Sequence, residues 1–573
     1  MNIMRISGLA SGMDTESIVE SLMRVERMRL DGLNQTKQIA LWRQEQYNEI
    51  NKELANFIIQ TRKELELTRT TSYGTTFSNS ISNLGWIKKA FSSNENIFTV
   101  KANAQAVQGT HKIRVERLAE GVNIASKHAV ETTDGKKATS VTKLSDLGVE
   151  EDGTITFGKK VNLNGVEQDI HIEIAYEKDN TIEELVRKIN QAVGEIGIEK
   201  NISLGIQASF DDMTGRLFLS TKDTGEYAQI KVVEDKQGLF AGAGNKFNLY
   251  ESGESSEPLL TAQIDPETGE MLPEAKFKKG QDAIIHFNGA ENLRYSSNTI
   301  LLNGMQIDLK SADPDQEYTI KVDTDVDSVY DKIKSFVDKY NELIEKLNGK
   351  ISEKRYRDYL PLTAEQKEAL KEDEVKKWEE RAKSGLLRND ELIERMMQNM
   401  RTSLYEKVEG LSTKYNHLSS IGITTGEWKD KGKLVIDESK LKQAILDDVD
   451  GVVNLLFAPS DPENPEQSGL VNRLYDQMIE GMKGIINKSG TGDNQELYRN
   501  VQSNILVDFV TEMGSISYLD KDVFDIEKRI FEEERRLSQK EEKYWSKFTA
   551  MEKALNEMYS QSSWLMQQMM SFS

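Results

Sequence analysis

Apolar positions along this chain change period twice, from helical to alternating and back. After Asp14-Thr15, which suits a helix N-cap, apolar residues recur at helical spacing through Ile18, Leu22 and Val25, then Leu33, Ala40, Tyr47, Ile50, Leu54 and Phe57. No proline interrupts residues 1–70, so the pattern predicts one or two long helices, relaxing near Gly32. The C-terminal end is more regular. Val523, Ile530, Leu537, Tyr544, Met551, Met558 and Leu565 are spaced by seven without a break. Phe548, Leu555 and Met569 add a second track in the later half, whereas Glu534 and Glu541 occupy it in the earlier half and narrow the seam. Such a stripe serves a helix pair within the chain, or is also used between chains. Met551, Met558, Met566, Met569 and Met570 make its end a methionine-rich surface of the kind that adapts to more than one partner.

From Thr71 the period becomes two. Asn96–Lys101, His111–Glu116, Thr154–Phe157, Asp169–Ala175, Ile206–Phe210 and Arg216–Ser220 alternate or run apolar with β-branched residues, so residues 71–325 are expected to be mainly β. Asp134-Gly135, Asp152-Gly153, Asn164-Gly165 and Thr214-Gly215 supply turn signals. One helix interrupts the block at Thr181–Asn190, with Thr181 and Glu184 in capping-box spacing. Phe240–Gly280 reads as long loops or a domain edge. Helical spacing returns at Val326 with Val329, Ile333, Phe336, Val337, Tyr340, Leu343, Ile344 and Leu347 on one face. Further helices are expected over Ala364–Trp378, Asp390–Val408 and Glu438–Leu446, with a small β-turn-β element at Gly432–Asp437 before the last. Terminal helices flanking a β insertion must run out and back together. The predicted class is therefore α+β, an elongated multidomain chain with paired, coiled-coil-like terminal helices, a helical bundle and inserted β-rich domains.

Composition narrows the function. The net charge of −21 repels phosphate backbones and anionic lipid, so neither nucleic acid nor a membrane surface is expected as a partner. Residues 1–70 hold ten basic and ten acidic side chains, and residues 516–573 hold nine and eleven, so nearly all the excess lies between them. Zero cysteines in 573 residues remove disulfides, thiolate metal sites and cysteine nucleophiles. No apolar run suits a signal peptide or a membrane span, which on these rules alone predicts a soluble cytoplasmic protein.

Catalytic patterns are missing. His111, His128, His171, His286 and His417 are scattered one per segment, without His-Glu-x-x-His spacing. Gly242-Ala243-Gly244 lacks the strand and helix of a dinucleotide loop and reads as a turn. Asp323-Thr324-Asp325-Val326-Asp327 starts like a calcium loop, but Ser328 replaces the glycine and Lys334 the terminal glutamate. No catalytic, cofactor-binding or metal residue is assigned.

Met4-Arg5-Ile6-Ser7-Gly8-Leu9-Ala10-Ser11-Gly12-Met13-Asp14-Thr15-Glu16-Ser17-Ile18-Val19-Glu20-Ser21-Leu22-Met23 resembles the N-terminal signature of FliD, the flagellar filament-capping family also called flagellar hook-associated protein 2. Three further signatures follow in that family's order. Thr181–Asn190, ending in Ile189-Asn190 and followed by Gly205–Phe210 and Thr214–Leu219, is similar to the "IN" motif of flagellins and hook proteins. Ile333–Ile344, Pro361–Thr363, Trp378, Ser384–Asp390, Gly432–Leu434 and Ile436–Glu438 resemble the family's C-terminal region. Phe548–Leu555 resembles its last helix.

The resemblance implies a cap at the distal tip of the flagellum that promotes folding and polymerisation of exported flagellin. It implies a ring-shaped homo-oligomer of about four to six subunits. It also implies contacts with flagellin, hook–filament junction proteins and the type III export apparatus with its chaperone, and no membrane insertion. Export through that channel without a cleaved signal peptide moves the expected location from the cytoplasm to the extracellular flagellum tip. The family plan divides the chain into 1–45 with 516–573 as a coiled-coil leg, 46–72 with 326–515 as a mainly helical leg, 73–123 with 279–325 as a β-rich domain, and 124–278 as an outer β-rich domain. The expected partner-binding seam is Ile18, Leu22, Val25, Leu33, Ile530, Leu537, Tyr544, Phe548, Met551, Leu555, Met558 and Leu565. A surface adhesin binding glycan through residues 124–278 is the alternative, weakened by the absence of tryptophan there.

Overall fold

The first helix begins where the sequence supplies a cap: the Asp14 carboxylate accepts from the Ser17 amide at 3.0 Å, and Thr15–Glu64 follow as 50 helical residues. In a computed structural model of the chain, residues 12–71, 76–163, 166–196, 199–252, 257–265, 270–272, 275–411, 414–426, 430–461, 463–501 and 517–571 are described. The Met4–Ser11 part of the N-terminal signature and the Asn164-Gly165 turn lie outside them. Two units emerge, Met1–Leu84 with Val326–Ser573, and Gly85–Asp325.

In the first unit Gly32 does not relax the helix, contrary to the sequence expectation. A mid-helix glycine costs only about 1 kcal/mol, too little to break a ladder supported on both sides. The second half of this helix buries Tyr47, Ile50, Leu54, Ala55 and Ile58. Helices Val326–Ser352, Glu391–Tyr405 and Leu470–Ser489 build the bundle with it. Phe57 meets Phe336 and Tyr475 at ring-centre distances of 5.8 and 6.3 Å, and the Tyr475 hydroxyl donates to Thr61 Oγ1 at 2.8 Å. The hydroxyl of Tyr47 donates to the Asp390 carboxylate, which also caps Glu391–Tyr405 and receives Lys488 at 3.2 Å.

Two other expectations change. The helix expected over Ala364–Trp378 is split into Ala364–Ala369 and Glu372–Lys383. The Glu374 side chain takes the Lys371 amide at 3.1 Å and starts a second helix there. Helices Val449–Phe457 and Leu470–Ser489 were not anticipated. The β-turn-β element expected within Gly432–Asp437 is a single strand there, Leu434–Ile436; its partner is Ile423–Thr425 upstream, and Asn341 clasps the Leu434 backbone at 2.7 and 2.8 Å.

The second unit is antiparallel β with two cores. Strands Ala290–Tyr295, Ala283–Phe287, Gly109–Arg117, Asp313–Thr324 and Lys88–Ser92 form a five-stranded sheet in that order. A three-stranded sheet of Thr299–Leu302, Met305–Leu309 and Phe98–Ala102 shares its core, with Phe98, Ile113, Ile285 and Ile320 fully buried. The other core spans residues 122–260. It lies among the sheet Lys278–Lys279, Gln229–Asp235, Gly153–Leu163 and Val166–Tyr176, the sheet Ile206–Asp211, Arg216–Thr221 and Asn123–Ala125, and helix Ile182–Gln191.

The capping box of that helix is formed as expected, with Thr181 and Glu184 exchanging side-chain-to-amide bonds of 2.9 and 3.2 Å. Of Phe240–Gly280, read as long loops or a domain edge, the described residues have little regular structure yet supply Phe240, Phe247, Leu249 and Leu260 to the core. The buried Asp235 carboxylate organises it by accepting the amides of Leu239, Phe240 and Ala241 at 3.0, 2.7 and 3.0 Å. Its surroundings push its pKa up through desolvation, against the pull of those amides.

Candidate functional site

The residues expected to form the seam lie on two helices, Thr15–Glu64 and Tyr518–Ser571, which pack against each other. Ion pairs fix their antiparallel register: Lys37 with Glu527 at 2.6 Å, Arg29 with Glu533 at 3.7 Å, and Glu26 with Arg536 at 3.5 Å and with Lys540. As residue numbers fall along the first helix they rise along the second. Arg536 also bonds Glu533 along its own helix, and that hydrogen bond holds the Glu533 carboxyl below the usual range.

The apolar contact between the helices is small. Val19, Met23 and Leu537 are buried together, with Leu30, Tyr544, Trp545 and Phe548 packed partly buried around them. Of the seam residues, Leu537 is therefore at the centre and Tyr544 and Phe548 beside it. Ile530, Leu33, Met551 and Leu555 are half-buried. Ile18, Leu22 and Val25 point elsewhere, at 36%, 38% and 68% exposure, and Met28 continues that face at 68%.

The intrachain pair thus uses Val19 and Met23, one residue round the helix from the stripe read in the sequence. Both faces are apolar over two turns, so spacing alone could not choose between them. Met558 and Leu565 are 65% and 55% exposed, and Trp564, Met566, Met569 and Met570 beside them are exposed as well. Phe524 and Phe531, seven residues apart and both more than 60% exposed, were missed because neither falls on the heptad track. The helix pair carries an internal contact and, on the same two helices, exposed apolar positions at helical spacing, which is the surface helices use to join further helices.

The remaining candidates take structural places. His111 stacks on Phe287 at 5.6 Å and its Nε2 lies 2.8 Å from the Val107 carbonyl, while His286 pairs with Glu116 at 2.8 Å. Asp327 lies in the first turn of Val326–Ser352, where the helix dipole favours a carboxylate. Among the described residues no group of three or more His, Asp or Glu could hold a metal ion, and no helix is long and apolar enough to cross a membrane.

The Ile189-Asn190 pattern has a clear geometry. Ile189 is buried and Asn190 bonds both backbone groups of Ala208, donating to its carbonyl at 2.9 Å and accepting from its amide at 2.7 Å. It ties the helix to strand Ile206–Asp211.

Comparison with known proteins bears on the whole chain. Residues 11–121 match the family model for the flagellar hook-associated protein 2 N-terminus and residues 280–560 that for its C-terminus. The chain is 28% identical to a protein named flagellar hook-associated protein 2 from Halalkalibacterium halodurans, over 98% of this chain and 99% of that one. It is 22% identical to the protein of that name from Thermotoga maritima, over 98% and 95%. Among solved structures, that of the flagellar cap protein FliD D1-D2-D3 domains from Escherichia coli aligns with 20% identity and a TM-score of 0.48, covering 76% of this chain and 95% of that one.

Proposed function

Because the chain belongs to the flagellar hook-associated protein 2 family, FliD, we infer that it is the cap of the flagellar filament, sitting at the distal tip and promoting folding and polymerisation of exported flagellin. The observation that carries this reading is the pair of family matches at residues 11–121 and 280–560, which take in most of both terminal helices. The exposed apolar positions on those helices support it, since a cap needs contacts both to its own copies and to the helical subunits beneath. Near-neutral terminal segments and an acidic stretch between them fit the same reading, helices suited to packing and domains suited to solvent.

In this reading the chain is exported by the flagellar type III system and works outside the cell. It forms a closed ring with its own copies and acts by shielding flagellin rather than by catalysis. Its seam comprises the exposed Ile18, Leu22, Val25, Met558 and Leu565, with the half-buried Met551 and Leu555 continuing it. Residues 124–278 form the outer domain of the proposed four. The test is localisation: an epitope inserted in the exposed Asp134-Gly135 turn and labelled with gold should mark one end of each filament, the end distal to the cell. Label spread along filaments or confined to the cell body would count against the reading.

A further inference from the structure

A cavity of about 410 Å³ lies beside the end of the first helix, lined also by residues 67–68 and 78–81, by the segment that follows Val449–Phe457 and by helix Leu470–Ser489. Part of its wall is apolar, built from the buried Leu67, Phe457 and Ile479. Among the described residues that line it only two carry charge, Arg62 and Asp476, one of each sign.

These two charges do not satisfy each other. Arg62 donates from Nη1 to the Val501 carbonyl at 2.7 Å and lies over the Tyr475 ring at 5.0 Å, which leaves Nε and Nη2 without an acceptor among the described residues. Asp476 accepts the Ser460 hydroxyl on Oδ2 at 2.8 Å, and its Oδ1 has no donor among them. No ion pair joins the two side chains. Both residues are half-buried, and neither holds an unpartnered polar atom closed to solvent, so the unused atoms stay accessible. Partial burial is costly for both charges: desolvation lowers the Arg62 pKa from its ordinary 12.5 and raises that of Asp476 from 3.8. A ligand that brings a counter-charge to each would offset that cost.

We propose that this cavity binds a free α-amino acid with an aliphatic side chain, its carboxylate on Arg62, its ammonium on Asp476 and its side chain against Leu67, Phe457 and Ile479. The Nε–Nη2 edge of a guanidinium presents two parallel donors that match a carboxylate bidentately. An ammonium brings three donors to the carboxylate oxygen that lacks one. A simple anion would meet Asp476 and a simple cation would meet Arg62, so the pair selects a ligand carrying both charges. The volume falls in the range of small-molecule sites. This assignment goes beyond the capping reading and does not depend on it.

The test uses the full chain in calorimetric titrations with L-leucine, N-acetyl-L-leucine, L-leucinamide and N-acetyl-L-leucinamide. Leucine is expected to bind saturably. The blocked forms, which remove the ammonium, the carboxylate or both, should each bind about tenfold or more weakly. Glycine, which keeps both charges without the side chain, should also bind more weakly. Asp476→Asn keeps the size of the side chain and should cost about tenfold for leucine without weakening N-acetyl-L-leucine. The control Glu372→Gln, exposed and outside the cavity, should bind like the parent chain. Absence of saturable leucine binding, or equal losses for leucine and N-acetyl-L-leucine in Asp476→Asn, would overturn the proposal. So would N-acetyl-L-leucinamide binding as tightly as leucine, which would assign the cavity to a peptide main chain instead.

Discussion

Asn190 holds Ala208 by both of its backbone groups, the side-chain amide donating at 2.9 Å and the side-chain oxygen accepting at 2.7 Å. The side chain thus acts as a peptide-like partner along the free edge of strand Ile206–Asp211, joining a short amphipathic helix to a sheet. Asn190→Ala removes both bonds and leaves the Ala208 amide and carbonyl to find water, at a cost of about 2–3 kcal/mol. Thermal melting should show the transition of the 122–260 core lowered; Asn190→Asp, which keeps the acceptor but loses the donor, should fall between.

The residue 122–260 core should be removable. The chain enters and leaves it at adjacent points, for Glu120 and Gln281 exchange backbone bonds at 2.9 and 3.0 Å. The two family matches stop at residue 121 and resume at 280. Replacing residues 124–278 by a short Gly/Ser linker should leave the core around Phe98, Ile113 and Ile320 folded. The check is a cooperative melting transition and retained β circular dichroism in the shortened chain.

The terminal helices offer a separation of folding from function. Leu537 is buried against Val19 and Met23, so Leu537→Asp places a charge in the apolar contact of the helix pair, at a cost of about 3 kcal/mol or more. Leu565 is 55% exposed, so Leu565→Asp should change stability by under about 0.5 kcal/mol while still weakening filament capping. Circular dichroism melts beside filament-length measurements distinguish the two variants.

Acid should attack the bundle through Asp390. Burial alone would raise its pKa, but the hydrogen bond from Tyr47 and the charge of Lys488 outweigh it and hold the carboxyl below its ordinary value of 3.8. A folded-state pKa below the unfolded one gives stability that is fully present above about pH 4 and is lost as pH falls through the folded value. Tyr47→Phe removes one of those supports. Denaturant midpoints measured from pH 6 down to pH 2 should show a shallower acid loss in Tyr47→Phe than in the parent chain, from a lower starting stability.

Much of this architecture is legible in the sequence where one face of an element decides its place. The heptads from Val523, the alternation at Asp169–Ala175 and the Thr181/Glu184 box each carry their own signal. What escaped depends on tertiary partners. The choice between Ile18 and Val19 as the buried face turns on a rotation of about 100°, and both faces are apolar there. The core role of Phe240–Leu260 needs the Asp235 carboxylate to gather three amides of an irregular loop, which no periodicity records. Leu470–Ser489 is an exception: its buried Leu470, Leu474, Met478 and Met482 recur at i, i+4 spacing, a stripe the sequence itself carries. The bond from Gln46 to the Lys383 carbonyl joins residues 337 apart.

The central claim, that this chain caps the filament, is tested most directly by deleting its gene and measuring flagellar filament length together with unpolymerised flagellin in the medium. The account predicts few or no filaments and abundant secreted flagellin monomer, with both restored by the intact chain and only partly by the Leu565→Asp chain. Filaments of normal number and length in the deletion strain would contradict it.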